Sequence, residues 1–333
     1  MKEQVVLSLF NGMNTLRQAM ENVGIPVKKY YSSEIKPYAI KLTQHHFPDT
    51  IQLGDIKNWR EWDIDWSEIT FIGSGSPCQD LSSAGKRAGI NGSRSSLFFI
   101  FIEILNYVKK LNPNVKFLQE NVGSANVKDI GIMSRALGVY PVRINSNLVT
   151  AQNRDRYYWT NIKTKSDGMF GDIISDIPQP KDQKIFLKDI IESGFIEKEK
   201  ADCITEREYK NIFKDVDKLK LYIEKKVKLG FNVPMHVKEV IQINESKESN
   251  NKQPFQQNRV YDEKGLFPAI CTNNNGKIKT DYTVRNLTTT EFCRLQGFPD
   301  NYCDFISKSQ AISLLGDGWT LPVIEHILSF YKD

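Results

Sequence analysis

The sequence predicts an α/β fold in which a parallel sheet is flanked by helices. Short apolar strands alternate with helix-like segments through the first 163 residues, at the spacing that is typical of β–α–β units. Polar or acidic residues directly follow several of these strands. Because ligands of parallel sheets bind at the carboxyl ends of the strands, the functional site is expected at that edge.

The predicted elements follow one another in a regular order. Strands are expected at 5–9, 27–34, 50–52, 70–72, 117–121, 142–149 and 157–161, and helices at 15–23, 37–46, 97–108 and 128–137. Later in the chain, a Thr-x-x-Glu sequence indicates the start of a helix that ends at Gly297. A glycine turn in LLGDGW is followed by a last helix that begins at Pro322.

The composition excludes several classes of protein. At 333 residues the chain can form one large domain or two unequal ones. No run of about 18 apolar residues is present and the first residues lack a signal-peptide layout, so a cytoplasmic protein is expected. The five cysteines form no CxxC pair, which indicates neither a zinc knuckle nor a disulfide framework. The net charge of +5 is compatible with a polyanionic partner and does not require one.

The stretch TFIGSGSPCQDL, residues 70–81, presents Cys78 directly after a strand and a glycine-rich turn. Gly73 and Gly75 permit backbone angles that are closed to other residues, and Pro77 fixes one torsion before the thiol. Most free cysteines are small buried core residues. A cysteine held at the carboxyl end of a strand in this way is instead placed for chemistry, because its thiolate is a good nucleophile.

Acidic residues after the early strands indicate a cofactor pocket. The FNG turn at 10–12 lacks a complete G-x-G-x-x-G sequence, and Asn14 stands where a second glycine would. Glu34 lies about 20 residues beyond the turn, where a carboxylate can bind ribose hydroxyls, and Asp55 can accept from an adenine amino group. Either acid alone is more often a solvated loop residue. Together they predict an adenosine-containing cofactor, and the incomplete phosphate loop favours S-adenosylmethionine over NAD.

Glu120 ends the fifth predicted strand, so it is expected beside Cys78. Addition of a thiolate to C6 of a pyrimidine makes C5 nucleophilic, and a carboxyl group at N3 takes up the charge that develops. Arg154 and Arg156 could increase the thiolate fraction and bind the base or a phosphate. Without this context, such a pair is more often two surface cations on a strand.

Two longer segments complete the pattern. A glycine- and serine-rich loop at 82–96 carries three cations, and loops of this length are uncommon in compact domains unless they are functional. We therefore expect a mobile basic lid next to Cys78. From 163 to 258 the chain is rich in Lys, Asp, Glu and Asn with weak periodicity, which predicts a separate, variable lobe.

These stretches together resemble the motif set of the C5-cytosine DNA methyltransferases. In chain order they are LFNG, a glutamate after the second strand, GDI, GSPCQDLS, LFF, ENV, QNRDR, RNLTTTEFCRLQGFP and LLGDGWTLPV. They look most similar to the branch that contains the vertebrate de novo enzymes and related phage and bacterial enzymes. The resemblance implies a Rossmann-like class I methyltransferase sheet, formed by 1–163 and 285–333, with a smaller inserted target-recognition domain at 164–284.

The resemblance also implies roles for the residues that match the motifs. Cys78 would be the nucleophile and Glu120 the acid that holds the base, with Arg154 and Arg156 completing the catalytic set. The residues implied to bind S-adenosylmethionine are Phe10, Asn11, Gly12, Thr15, Glu34, Ile35, Asp55, Ile56, Pro77, Leu97 and Trp319. Those implied to contact the cytosine or the DNA are Gln79, Lys86, Arg87, Arg94, Asn121 and Arg259. Asn11 departs from the aspartate that is common in the family, and Asp317 from its usual asparagine or arginine.

The implied function is methyl transfer from S-adenosylmethionine to C5 of a cytosine that is flipped out of double-stranded DNA, through a covalent Cys78–C6 adduct. DNA would lie between the catalytic and recognition domains. The overall pattern is that of a bare prokaryotic or phage-encoded enzyme, and whether a cognate restriction endonuclease accompanies it stays open. The recognition sequence cannot be read from the chain.

Three alternatives remain at this point. A tRNA cytosine methyltransferase of the same family would carry a small recognition lobe with a cysteine-bearing signature, which is not found here. A scaffold that binds DNA or cofactor without activity is disfavoured by the intact Cys78 and Glu120. A nucleotide-dependent oxidoreductase is disfavoured by the incomplete glycine loop.

Overall fold

The computed structural model describes residues 2–76, 96–167, 171–192, 277–279 and 284–331. The chain divides into two compact units. The first comprises Met1–Asn145, Asp155–Pro180 and Gly318–Asp333, and the second comprises Ser146–Arg154 and Lys181–Asp317. The greater part of the predicted recognition domain, 164–284, lies outside the described residues.

Seven strands of the described chain form one sheet in the first unit. They are β1 (Gln4–Leu9), β2 (Val27–Ser33), β3 (Ile51–Gln52), β4 (Phe71–Ser74), β5 (Lys116–Val122), β6 (Val142–Asn145) and β7 (Asp155–Thr160). Their spatial order is β3-β2-β1-β4-β5-β7-β6. The strands from β3 to β5 are parallel, whereas β7 runs antiparallel to both β5 and β6. From β1 the chain builds the sheet toward β2 and β3 on one side, and from β4 it builds the sheet toward β5 on the other. The point between β1 and β4 is therefore a topological switch point, and such sheets bind ligands in the crevice at the carboxyl ends of these two strands.

Two further strand pairs in the described residues are antiparallel. They are β8 (Thr164–Asp167) with β9 (Asp172–Ser175), and β10 (Lys277–Lys279) with β11 (Val284–Asn286). The described helices are α1 (Thr15–Asn22), α2 (Pro37–His46), α3 (Ser96–Leu111), α4 (Val127–Leu137), α5 (Leu187–Ile190), α6 (Thr289–Gln296), α7 (Lys308–Asp317) and α8 (Leu321–Leu328). Short 3₁₀ segments lie at Ile56–Glu61, which is kinked at Asn58, and at Trp66–Glu68 and Ser146–Leu148.

The core of the first unit forms because α3 has apolar residues at helical spacing. Phe98, Phe101, Leu105 and Val108 recur at three- and four-residue intervals and are buried against the sheet core, which includes Leu7, Ile72 and Phe117. Each such buried side chain stabilises the fold by about 1.5–3 kcal/mol relative to its exposed state. At the end of the chain, the Tyr331 hydroxyl donates to Gln4 Oε1 (2.7 Å), which ties the last helix to β1.

Local sequence signals explain most helix ends. Pro37 occupies the first turn of α2, where its missing N–H is not needed. The Asn126 side chain accepts from the Asp129 N–H (2.9 Å) at the start of α4, and Gly138 ends that helix with φ +74°. In the second unit, α6 begins at the predicted Thr-x-x-Glu sequence and ends at Gly297, as the sequence indicates.

Two predicted elements differ from the structure. The strand expected at 142–149 ends at Asn145, because the chain then turns and the Ser146 hydroxyl donates to the Gln152 carbonyl (2.8 Å). The glycine turn expected in LLGDGW begins later, because Gly316 lies in the last turn of α7, a helix that the sequence reading missed.

None of the helices in the described residues is long and apolar enough to cross a membrane.

Candidate active site

Glu120 and Arg156 form an ion pair toward the carboxyl end of β5. Arg156 Nε lies 2.9 Å from Glu120 Oε1, and each side chain is 10% exposed. In the antiparallel register of β5 and β7, Glu120 pairs with Tyr158, and Val122 pairs with Arg156. The two charged side chains are therefore diagonal neighbours on one face of the sheet. The sheet thus places a nearly buried acid and its cation at the edge where ligands are expected.

The strand that leads to Cys78 is the neighbour of β5. Ser74 in β4 pairs with Gln119 in β5, and Gln119 Nε2 donates to the Ser76 hydroxyl (3.0 Å) and to the Glu120 carbonyl (2.7 Å). Gln119 is fully buried. The sequence reading missed this residue, although a polar side chain within the apolar strand FLQENV was a signal for it. The contacts of Gln119 connect β5, the strand that carries Glu120, to Ser76, which lies two positions before Cys78.

Several predicted site residues cannot be placed. Those that lie outside the described residues are Pro77, Cys78, Gln79, Lys86, Arg87, Arg94 and Arg259.

Asn121 offers a buried donor next to Glu120. Its Oδ1 accepts from the Val122 N–H (2.8 Å), and the residue is 1% exposed. Its Nδ2 has no hydrogen-bond partner among the described residues. A buried donor without a partner costs about 1–3 kcal/mol, so this amide is suited to a ligand or to a residue outside the described ranges.

Arg154 belongs to the second unit. It is 3% exposed, and its Nη1 donates to the Gly316 carbonyl in α7 (2.9 Å). Of the predicted catalytic and base-binding residues in the described part of the chain, the structure brings Glu120 and Arg156 into contact, and Asn121 follows Glu120 in β5.

Glu34 ties the turn after β1 to the end of β2. Its Oε2 accepts from the Gly12 N–H (2.8 Å), and its Oε1 accepts from the N–H groups of Ile35 (2.8 Å) and Lys36 (2.9 Å). The turn itself contains three left-handed residues, because φ is +57° at Phe10, +57° at Gly12 and +65° at Asn14. Such angles are uncommon outside glycine and cluster at functional sites.

Two isoleucines that were predicted to bind the cofactor lie in different environments. Ile35 is 68% exposed beside Glu34, so it presents an apolar surface at the carboxyl end of β2. Ile56 is 4% exposed and packs in the core. Between them in the chain, Asp55 Oδ1 accepts from the Lys57 N–H (3.0 Å) and starts a 3₁₀ turn.

Three other residues that were predicted to bind the cofactor are partly or fully buried. Thr15 is 3% exposed at the start of α1, and Phe10 and Leu97 pack against the core.

Gly73 and Gly75 have a different role from the predicted one. Neither residue has a positive φ, so backbone freedom is not what requires glycine here. A Cβ at Gly73 would lie 2.4 Å from Leu16 Cδ2, and one at Gly75 would lie 2.7 Å from Trp319 Nε1. Glycine is needed because these two side chains approach the β4 backbone closely.

Both polar atoms of the Asn11 carboxamide form hydrogen bonds. Oδ1 accepts from the Tyr30 hydroxyl (3.1 Å), and Nδ2 donates to Thr43 Oγ1 (3.2 Å). Burial raises the pKa of Tyr30, which keeps its hydroxyl protonated and able to donate. The asparagine at this position therefore links the turn after β1 to β2 and α2.

The strand order of the seven-stranded sheet is that of the S-adenosylmethionine-dependent methyltransferase fold. Within that class, the family model described as C-5 cytosine-specific DNA methylase matches residues 5–332. The chain belongs to this family, and it is a DNA (cytosine-5)-methyltransferase by class. Enzymes of the family use S-adenosylmethionine.

Named relatives agree with this family. The chain is 29% identical to the type II methyltransferase M1.ScrFI of Lactococcus lactis subsp. cremoris, over 97% of this chain and 76% of the relative. It is 27% identical to the type II methyltransferase M.HpaII of Haemophilus parainfluenzae, over 96% and 86%. The orphan methyltransferase M.SPRI of Bacillus phage SPR is 28% identical, over 84% of this chain and 67% of the relative.

Solved structures share the fold. A prophage-encoded E. coli protein assigned as a DNA modification methyltransferase superposes with a TM-score of 0.60 at 22% identity, covering 98% of each chain. The Dnmt2 methyltransferase of S. pombe superposes with a TM-score of 0.58 at 15% identity, also covering 98% of each chain.

Proposed function

We propose that this chain transfers a methyl group from S-adenosylmethionine to C5 of a cytosine in a short sequence of double-stranded DNA. The target base is flipped out of the helix, and Cys78 forms a transient bond to its C6. The observations that support this function best are the Glu120–Arg156 ion pair and, on the next residue of β5, an Asn121 Nδ2 without a hydrogen-bond partner among the described residues. These groups lie on the strand next to the one that leads to Cys78.

In the proposed first step, the Cys78 thiolate adds to C6 of the cytosine and a sulfur–carbon bond forms. The Glu120 carboxylate first takes up a proton from water, and N3 takes this proton as the displaced electron pair moves to it through C5 and C4. Arg156 holds that carboxyl group in place, and Asn121 Nδ2 donates a hydrogen bond to the base. C5 is now nucleophilic, and S-adenosylmethionine supplies, when bound, the electrophilic methyl group that it attacks.

Release of the product reverses the addition. The C5 proton is lost to water, the Cys78–C6 bond breaks, and the sulfur leaves as a thiolate. Glu120 takes the proton back from N3 and releases it to water, so the enzyme returns to its starting state with Glu120 paired with Arg156.

The residues at the β1–β2 edge fit S-adenosylmethionine. Glu34 accepts three main-chain N–H groups, and a carboxylate has about four acceptor positions, so it can still accept from a ribose hydroxyl. The exposed Ile35 offers a flat apolar surface for an adenine ring, with Asp55 as an acceptor for its amino group. Trp319, against the end of β4, closes the same edge.

The contacts to DNA are proposed from the sequence. A base stacked inside the duplex cannot be reached by Cys78, so the target must be extruded. Lys86, Arg87 and Arg94 would bind phosphates near that base, with Gln79 and Arg259 also close to the DNA. Arg154 would bind the cytosine or its phosphate. Residues 164–284 would read the target sequence.

The deciding experiment measures tritiated methyl transfer from S-adenosylmethionine into unmethylated plasmid DNA, with Cys78→Ala alongside and bisulfite sequencing of the product. Binding of tritiated S-adenosylmethionine by Cys78→Ala checks that the variant is folded. We expect the unaltered chain to methylate cytosines within one short sequence. We expect Cys78→Ala to transfer no methyl group. Transfer to tRNA alone would contradict the DNA substrate, and transfer to neither would contradict the function.

A further inference from the structure

We propose that Asp155, together with Arg143 and Gly123, forms a clamp that positions Arg156 and, through it, Glu120. The Asp155 clamp, as we call these three residues, rests on the proposed methyl transfer and assigns positioning roles to residues outside the predicted site. None of the three touches the reacting atoms in this proposal.

The main-chain carbonyl of Asp155 is the centre of the clamp. It accepts from the Gly123 N–H (3.0 Å), just beyond the end of β5. It also accepts from Arg156 Nη1 (2.8 Å). One oxygen therefore connects the strand that carries Glu120 to the guanidinium that pairs with it. With Nη1 held there and Nε near Glu120 Oε1, Arg156 is attached at two points.

The side chain of Asp155 is held by Arg143 on the next strand. Arg143 Nε donates to Oδ1 (3.0 Å) and Oδ2 (2.8 Å), and Nη2 also donates to Oδ2. The hydrogen bonds to Asp155 raise the pKa of Arg143, and such two-pronged pairs restrict orientation as well as separation. Because the pair is largely exposed, it contributes only about 0–1 kcal/mol to stability. The pair therefore matters less for stability than for fixing the position of the Asp155 carbonyl.

Gly123 completes the clamp because there is no room for a side chain. A Cβ at this position would lie 2.7 Å from the Asp155 carbonyl oxygen and 2.9 Å from its carboxylate Oδ2. Gly123 does not have a positive φ, so the requirement comes from the closeness of β7. Any larger residue must push Asp155 away and move the acceptor of Arg156.

The first test replaces Gly123 with alanine and measures methyl transfer into unmethylated plasmid DNA under steady-state conditions. Since a misplacement of 1 Å can reduce a rate by about 100-fold, we expect kcat to fall by about 10- to 100-fold. KM for S-adenosylmethionine should change little, because the proposed cofactor residues Glu34, Ile35 and Asp55 follow β2 and β3, which lie on the other side of the sheet from β7. The matched control is Gly131→Ala in α4, where a Cβ meets only the end of the Arg135 side chain at 3.4 Å.

The second test reverses the charges of the exposed pair. Arg143→Asp and Asp155→Arg should each lower kcat, and the double variant should recover much of the loss, since the pair can form again in the opposite sense. A merely structural role would lower thermal stability in the single variants without this recovery of kcat.

The outcomes separate the two proposals. No methyl transfer by the unaltered chain would overturn the proposed function and the clamp with it. Transfer by the unaltered chain together with an unchanged kcat in Gly123→Ala would overturn the clamp alone.

Discussion

Trp319 lies so close to Gly75 that a Cβ on the glycine would be 2.7 Å from the indole Nε1. The tryptophan stands just before the last helix, whereas the glycine follows β4 and is the last glycine before Cys78. The end of the chain thus forms part of the edge at which cofactor and nucleophile are proposed to meet.

Gly75→Ala should weaken the binding of S-adenosylmethionine. The added methyl group must displace Trp319, and loss of one contact of about 1.4 kcal/mol raises Kd about tenfold. Equilibrium dialysis with tritiated S-adenosylmethionine measures this Kd, with Gly131→Ala as the control. An unchanged Kd would remove Trp319 from the cofactor site.

Glu120→Gln should abolish most of the activity while it leaves cofactor binding intact. The amide has the same shape, but it can neither pair as a carboxylate with Arg156 nor take up a proton and pass it to N3. Loss of one acid–base group lowers a rate by about 10²–10⁴-fold, which single-turnover methyl transfer would reveal. Glu103→Gln is the matched control, because Glu103 pairs with Arg60 (2.6 Å) on an exposed surface. Equal rates in the two variants would argue against the role of Glu120.

Asn11→Asp should change the cofactor Kd modestly, by less than about tenfold, a difference below 1.4 kcal/mol. The Tyr30 hydroxyl can still donate to the new carboxylate, and Thr43 can turn its hydroxyl to donate as well. Thr43→Val, which alters the same network without touching the turn, is the comparison. Titration calorimetry that finds no change at all for Asn11→Asp would remove this residue from the cofactor site.

Glu291→Ala should destabilise the chain more than Thr288→Ala does. Thr288 accepts one N–H as the cap of α6, and loss of such a cap costs about 1 kcal/mol. The fully buried Glu291 accepts from the N–H groups of Thr288 (2.8 Å) and Glu192 (2.9 Å). Because each N–H left unpaired costs about 1–3 kcal/mol, the variant should lose about 2–6 kcal/mol. Urea denaturation would measure both values, and equal losses would contradict this assignment.

Much of the sheet could be predicted because its signals are local. Apolar runs that end in a turn and a polar residue identified the parallel strands, and caps such as Pro37 and Thr288 located the helix starts. The sequence does not predict α7, because the glycines around Gly316 are typical of a turn. Its buried residues, among them Ile312 and Leu315, stabilise the helix through packing that a local pattern does not reveal.

The site was predictable in its residue types more than in its contacts. Glu120 and Arg156 were expected near one another, but the requirement for glycine at 73, 75 and 123 was misread or missed. In each case a distant side chain or strand approaches the glycine, namely Leu16, Trp319 and β7. Such approaches depend on which strands become neighbours in the sheet. The spacing of residues along the chain does not specify these neighbours.

The reversed direction of β7 has one more consequence. Its first residues, Asp155 and Arg156, enter the sheet at the edge where β5 leaves it, so a strand's beginning and another strand's end supply opposite charges to one place. Turned end for end in the same place, β7 would carry Arg156 three residues, roughly 10 Å, back along β5 to lie opposite Gln119. A rearrangement that kept every residue and the same neighbours but inverted this one strand would draw the cation away from the carboxyl edge of the sheet, where ligands bind. The presence of this cation at the ligand edge is therefore a property of chain polarity.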